Sequence, residues 1–231
     1  KNQIIPANQS LKRGFSHYML KFANSQDSLE IGKLEYVYSI MAKDAKIDMP
    51  ETKLLKGKKN SYFAIKRFDR KGDERVHIHS LAALVHSDFR FPSIDYDDIL
   101  NLTLHLTKDI NEVIKVYRLA VFNLLTYNRD DHAKNFSFLL NSDNKWEFAP
   151  AYDLTFSYGV NGEHATTYLN EGKNPTKSHL EKLALKHNIK EYKTIIEEVN
   201  QIVKNFKKYC KEIGVSSKYA NEVFSSFVKF D

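Results

Sequence analysis

The period of the apolar residues changes along the chain. Residues 17–22 (HYMLKF) read as a short β-type run and residues 62–65 (YFAI) as a second. Between them Leu34, Val37, Tyr38, Met41 and Ala45 recur at helical spacing, which predicts an amphipathic helix ending before Asp48-Met49-Pro50. After the turn signals of Asp69-Arg70-Lys71-Gly72-Asp73 the pattern becomes mainly helical. Asp95, Asp97 and Asp98 suit the start of a helix over residues 99–106. Ile110, Val113, Ile114, Tyr117, Val121, Leu124 and Leu125 then mark a strong helix that starts at Thr107 or Asp109. Residues 136–140 and 146–148 flank Asn141-Ser142-Asp143-Asn144, a hairpin signature. Three helices are predicted to close the chain: residues 178–187, the stripe Ile195, Val199, Ile202, Phe206, Tyr209, and the stripe Tyr219, Val223, Phe227. The pattern predicts an α+β protein, with a small sheet-containing part over residues 1–70 and a mainly helical part over 71–231.

Composition narrows the classes. At 231 residues, 42% hydrophobic and 28% charged, the chain can bury a sizeable core and is neither collagenous nor disordered. No run reaches the length of a membrane-spanning helix, so no membrane partner is expected. The single cysteine, Cys210, cannot form an internal disulfide and argues for a reducing, cytoplasmic setting. The eight glycines form no GxG and no GxxxxGK, so Walker, dinucleotide and kinase-type glycine loops are absent. No GxSxG or HExxH occurs. The net charge of +6 is concentrated in residues 53–71, where eight Lys/Arg accompany one Asp. This run reads as a solvated loop around KGKK (56–59), with an acidic or nucleic-acid partner as the alternative. Lys204, Lys207, Lys208 and Lys211 read as a solvated face near a helix C-terminus. His77 and His79 read as solvated residues at a helix N-terminus, although on a strand they would share a face.

The chemistry lies in Asn128-Arg129-Asp130-Asp131-His132-Ala133-Lys134-Asn135-Phe136, a dense polar segment between the strong helix and the hairpin. Asp130 and Asn135 are five residues apart, and Pro150-Ala151-Tyr152-Asp153 follows the hairpin. Protein kinases use this order: a catalytic Asp, an Asn five residues on, then a metal-binding Asp after a hairpin. Asp130 suits a proton acceptor for a hydroxyl nucleophile. Asn135 and Asp153 supply hard oxygens for Mg²⁺ beside ATP phosphates. Lys134 could offset charge on the transferred phosphoryl group. Lys21 at the end of the first β run, and Glu35 in the first turns of the next helix, match the Lys–Glu pair that holds ATP phosphates. Taken singly, each of these residues is better explained as a turn, cap or surface residue; together and in this order they favour the chemistry.

NRDDHAKNFSF (128–138) followed by FAPAYDLTF (148–156) resembles the catalytic and metal-binding segments of HipA kinases, the toxins of HipBA-type toxin–antitoxin systems. IKRFDR (65–70) is similar to that family's hinge strand. RVHIHSLAALV (75–85) and GEHATTYLNEGKNPTKSHLEKLA (162–184) are similar to later segments. The resemblance runs from about residue 17 to 188 and implies a two-lobed, protein-kinase-like fold. It implies that Asp130 is the proton acceptor and that His132, Lys134, Asn135, Tyr152 and Asp153 line the nucleotide and metal site. It further implies that Lys21 holds phosphates and that the backbone of Lys66 and Phe68 meets adenine. Asp131, where some members have Gly, adds a charge near the site. The residues IIPANQSLKRG (4–14) do not resemble the Gly/Ser loop that precedes the lysine strand in the family, nor is the family's N-terminal subdomain represented. Weak nucleotide binding by this chain alone is therefore expected. The implied function is ATP- and Mg²⁺-dependent phosphorylation of a Ser or Thr hydroxyl. The implied target is a translation component such as an aminoacyl-tRNA synthetase. The implied partner is a HipB-like antitoxin, through which DNA is reached only indirectly. Two alternatives stand: a non-catalytic module that docks the antitoxin, and a small-molecule phosphotransferase that shares the Asp-Asn-Asp logic.

Overall fold

Helix α1 (Ile31–Asp44) buries the stripe its sequence announces, with Leu34, Val37, Tyr38, Met41 and Ala42 all fully enclosed. The structure, a computed structural model, describes residues 4–6, 11–24, 28–58, 60–86 and 94–230. Helix α1 lies on an antiparallel sheet of β1 (Tyr18–Leu20), β2 (Thr52–Lys56) and β3 (Ser61–Lys66), in the order β1-β3-β2. Tyr18 pairs with Lys66 and Thr52 with Ile65. Lys21 continues the β1 register by donating its backbone N–H to the Phe63 carbonyl at 3.0 Å. Strand β2 has no counterpart in the sequence reading, which saw the basic run. It forms because its backbone pairs with β3 while Lys53 and Lys56 point to solvent.

Gly32 lets α1 come close to this sheet. A Cβ there would lie 2.6 Å from the Ser61 carbonyl oxygen, well inside contact distance. Two turns further, Ser39 bonds Thr52 between hydroxyls at 2.9 Å.

Past β3, a small hairpin of β4 (Arg70–Lys71) and β5 (Glu74–Arg75) turns at Gly72, whose φ is +63°. Next come β6 (His77–Ser80), the short α2 (Leu81–Leu84), β7 (Ile94–Asp95), α3 (Tyr96–Thr107) and α4 (Ile110–Leu125). Asp95 caps α3 in a reciprocal box with Asp98, and Asp109 caps α4 by accepting from the Asn111 amide at 2.8 Å. Helix α4 is the central column. Val113, Val116, Tyr117, Ala120, Val121, Phe122, Leu124 and Leu125 are all fully buried. Each such Leu, Val or Phe contributes roughly 1.5–3 kcal/mol relative to exposure.

The hairpin β8 (Ser137–Leu140) and β9 (Trp146–Phe148) follows, with β6 pairing on the other edge of β8. His77 and His79 therefore sit on a strand, facing Leu140 and Phe138, and not at a helix start. Strand β6 runs directly into α2, whose N-cap is Ser80, so the helix entry read in residues 75–85 begins only at Leu81. Strand β10 (Thr166–Thr167) pairs in parallel with β7.

Four helices close the described chain: α5 (Lys177–Lys186), α6 (Tyr192–Lys204), α7 (Phe206–Ile213) and α8 (Ser217–Ser226). The stripe from Ile195 to Tyr209, expected as one helix, breaks at Asn205. Its side-chain amide bonds back to the Gln201 carbonyl at 2.9 Å, the competition with helix bonding that Asn typically offers. Lys207 and Lys208 consequently fall in the first turn of α7 and not near a helix C-terminus. Among the described residues no helix is long and apolar enough to cross a membrane.

Gly32→Ala tests the close approach of α1. Intrinsic helix propensity alone would stabilise the variant by about 1 kcal/mol. The contact with Ser61 is with backbone and cannot rotate away, so the melting temperature should fall; a rise would show that α1 is free to shift.

Candidate active site

The polar segment 128–136 is suspended between rigid elements. Helix α4 ends at Leu125, and the Asn128 amide folds back onto the Asn123 carbonyl at 2.9 Å. A single 3-10 turn, Ala133–Asn135, then leads into β8. Asn135 donates its side-chain Nδ2 to the Asp130 carbonyl at 2.8 Å. That bond spans the five-residue spacing, fixes the amide orientation and leaves Oδ1 as the remaining polar atom of the side chain. The Asp130 side chain is 61% exposed, and its Oδ1 lies 3.9 Å from His132 Nε2. Its carboxyl is held above the ordinary range because the surrounding protein strips part of its hydration. His132 opposes this, while the carboxylates of Asp153 and Asp131 add to it.

Asp153 arrives from the other side. The Ala149 amide bonds the Ser137 carbonyl and the Ala151 amide the Asp48 carbonyl, fixing the segment that leads to it. The Tyr152 hydroxyl donates to the Lys134 carbonyl at 2.6 Å and accepts from the Ser137 hydroxyl at 2.5 Å, tying the two segments together. Burial pushes the Tyr152 phenol up to about 12. Asp153 has a φ of +59°, a conformation a non-glycine residue adopts at some cost and which is common at functional sites.

Lys21 joins the two lobes. Its ammonium lies 2.6 Å from Glu35 Oε1 and also contacts Asp153 Oδ1. Burial alone would lower its pKa, but Asp153 and Glu35 together hold it above the ordinary lysine value. The structure thus brings Lys21, Glu35 and Asp153 into one ion cluster, and Asp130, His132 and Asn135 into a second, adjacent one. Phe68 lies against Tyr152, with ring centroids 5.6 Å apart. Lys66 stands apart from both clusters. Its side chain turns towards Glu51 at 4.0 Å, and its backbone N–H is committed to the Glu51 carbonyl at 2.8 Å, so only its carbonyl could meet a base. Residues 7–10, within the 4–14 stretch that does not resemble the family's phosphate loop, lie outside the described residues.

Two neighbours of Asp130 were not singled out for the work they do. Asp131 does not face the cleft, although its charge still helps to raise the Asp130 carboxyl. Asp131 is 1% exposed and turned into the helical lobe. Its carboxylate accepts from Tyr96 O–H and His164 Nδ1, both at 2.9 Å, and from the Thr166 amide at 3.2 Å. Asn123 and Asn128 extend the network behind Tyr96. Arg129 is likewise buried. Its guanidinium donates to the Gly162 carbonyl and, at 2.9 Å, to the Lys173 carbonyl, and it stacks 3.9 Å over Tyr127. These residues fasten the segment after Asp153 to the 128–136 loop. Only the alternation of charged residues within an otherwise loop-like string hinted at this.

Removing one member of a buried, fully bonded charge cluster costs about 3–5 kcal/mol. Asp131→Ala should therefore lower the melting temperature by about 10 °C or more. A thermal melt within a degree or two of the parent would mean that the network does not anchor the loop.

Comparison with known proteins identifies the family and the fold. Residues 3–207 match the family described as HipA-like C-terminal domain. A putative kinase, Y4dM, of Sinorhizobium fredii is 31% identical over 153 residues, covering 62% of this chain and 36% of its own. HipA of Shewanella oneidensis, solved in complex with HipB and operator DNA, superposes with a TM-score of 0.69 at 16% identity, over 90% of this chain and 57% of that one. The Helicobacter pylori proinflammatory kinase CtkA superposes with a TM-score of 0.56 at 15% identity, over 93% of this chain and 94% of that one. The chain spans about a third of the curated relative's length and just over half of the HipA chain. With a two-lobed kinase-like fold and a family match over nearly its whole length, the chain belongs to the HipA-like C-terminal domain family.

Proposed function

We propose that this chain is the phosphotransfer unit of a HipA-type serine/threonine protein kinase that uses ATP and Mg²⁺. The observation that carries this reading is the Lys21 ammonium shared by Glu35 and Asp153, beside a loop that presents Asp130 and Asn135. Lys21 would hold nucleotide phosphates, and Glu35 keeps that lysine extended. The Lys66 carbonyl and the Phe68 backbone lie on the strand-to-lobe connection where a base would bind.

The donor set fits a hard cation: one carboxylate, Asp153, and one amide oxygen, Asn135 Oδ1, left available by the bond from Nδ2. Among the described residues no group of three or more His, Cys, Asp or Glu could hold a metal without help, so phosphate oxygens and water would complete the shell. Bound with nucleotide, Mg²⁺ would neutralise phosphate charge. Asp130 orients the acceptor hydroxyl and takes its proton; its raised pKa makes it a better base than an ordinary aspartate. Lys134, exposed beside Asn135, would face the transferred group.

The acceptor is proposed to be a Ser or Thr of a protein target, with a translation component such as an aminoacyl-tRNA synthetase as the class the resemblance implies. The Shewanella HipA complex supports a HipB-like antitoxin as partner, with DNA reached through it.

Asp130→Asn should reduce phosphoryl transfer about 10²–10⁴-fold and leave Mg²⁺-nucleotide affinity nearly unchanged, whereas Asp153→Ala should weaken both. A carboxyl whose folded pKa is raised costs stability as pH rises through the interval between its unfolded and folded values. The neutral Asn variant should accordingly melt no lower than the parent at pH 7. Full activity in Asp130→Asn, or unchanged nucleotide affinity in Asp153→Ala, would remove these residues from their roles.

A further inference from the structure

Glu35 helps Lys21 only while α1 holds it there. A partly exposed ion pair contributes about 0–1 kcal/mol, too little to fix a helix. Lys21 and Glu35 therefore depend on whatever sets the lie of α1, not the reverse. One stripe of α1 faces the sheet through Gly32, Ser39 and Lys43, the latter two bonding Thr52 at 2.9 and 3.2 Å. A different set of α1 residues is held along the helix by the last part of the chain.

At the first end, Glu30 makes no side-chain cap to its own helix. It reaches instead to Ser216, accepting from the backbone amide at 2.9 Å and from the hydroxyl at 2.6 Å. Lys33 donates to the Gly214 carbonyl at 2.6 Å. At the far end, the Tyr209 hydroxyl donates to Asp44 at 2.6 Å. Midway, the Tyr38 ring meets Phe206 and Phe227 edge-on, with centroids 6.2 and 6.3 Å away. Gly214 ends α7 in the left-handed conformation and Ser216 caps α8, so the tight connection between these helices is itself what grips Glu30 and Lys33. The family match stops at residue 207, so α8 and nearly all of α7 lie beyond it.

We propose that the α7–α8 pair is a built-in brace that sets α1, and through it Glu35, on Lys21, with Glu30, Tyr209 and Ser216 as positioning residues. This rests on the phosphotransfer reading for the role of Lys21, and adds what keeps the pair assembled. In protein kinases the glutamate helix is a common point of control; here the same chain supplies the restraint.

The test uses the full chain with Glu30→Ala and Tyr209→Phe combined. This pair removes polar contacts at both ends of α1 and keeps the aromatic packing around Tyr38. Acylation of Lys21 by an amine-reactive ester, relative to Lys56 in the same molecule, reads the ion pair without nucleotide. It should rise several-fold towards the value for Glu35→Gln, because an ammonium no longer held against Glu35 is open to the reagent. Affinity for a Mg²⁺–ATP analogue should fall about tenfold, a coupling of about 1.4 kcal/mol. Ser216→Ala should shift both readouts the same way, and Ser216→Thr, which keeps the hydroxyl, should restore them. Unchanged Lys21 reactivity in the double variant and in Ser216→Ala would overturn the brace. If the parent bound no nucleotide, the phosphotransfer reading would fail, while Lys21 labelling would still decide whether the brace sets the ion pair.

Discussion

The arrangement turns on one ammonium group. Lys21 comes from the edge strand of the small sheet, Glu35 from the helix behind it and Asp153 from the helical lobe. Three separate parts of the chain must be placed correctly for one charge to find both carboxylates. Gly32 allows the helix to approach the sheet, the β1–β3 register extends Lys21 towards the cleft, and the Tyr152 hydroxyl fixes the segment that ends in Asp153. The pair energies themselves are small, since Lys21 and Asp153 are partly exposed. The surrounding core makes the geometry, and the geometry makes the ions useful.

The helical lobe solves a second problem, holding a short polar loop still. Asp130 must remain accessible, so it cannot be fixed by its own side chain. Its neighbours are fixed instead. Arg129 and Asp131 point away from the cleft and are held by hydrogen bonds to residues 162–173 and to Tyr96. Asn135 closes the loop back onto the Asp130 carbonyl. Partial dehydration and like charge then raise the Asp130 pKa, an electrostatic cost that falls on the group proposed to take a proton.

Much of this was legible in the residues. The α4 stripe, the Asn-Ser-Asp-Asn hairpin and the Asp95 cap follow from periodicity and local hydrogen bonding, which short segments encode. The spacing of Asp130, Asn135 and Asp153, and the Lys21–Glu35 pair, could be read because kinase chemistry demands those types in that order. Strand β2 was not legible, because its lysines look like loop residues until β3 is beside them. The break at Asn205 was hidden because the apolar stripe continues through it. The inward turn of Asp131 was equally hidden, since its partners Tyr96, His164 and Thr166 are all more than 30 residues away. Local pattern specifies elements; partners distant in sequence decide which way a charge faces.

The central claim is that Lys21 and Glu35 act as one unit on a nucleotide phosphate. A double-mutant cycle measured by calorimetry with a Mg²⁺–ATP analogue tests it most directly, using the parent, Lys21→Met, Glu35→Gln and both together. The account predicts that each single change weakens binding about tenfold, and that Glu35→Gln has almost no further effect once Lys21 is gone. Strictly additive losses, or parent-like affinity in Lys21→Met, would contradict it.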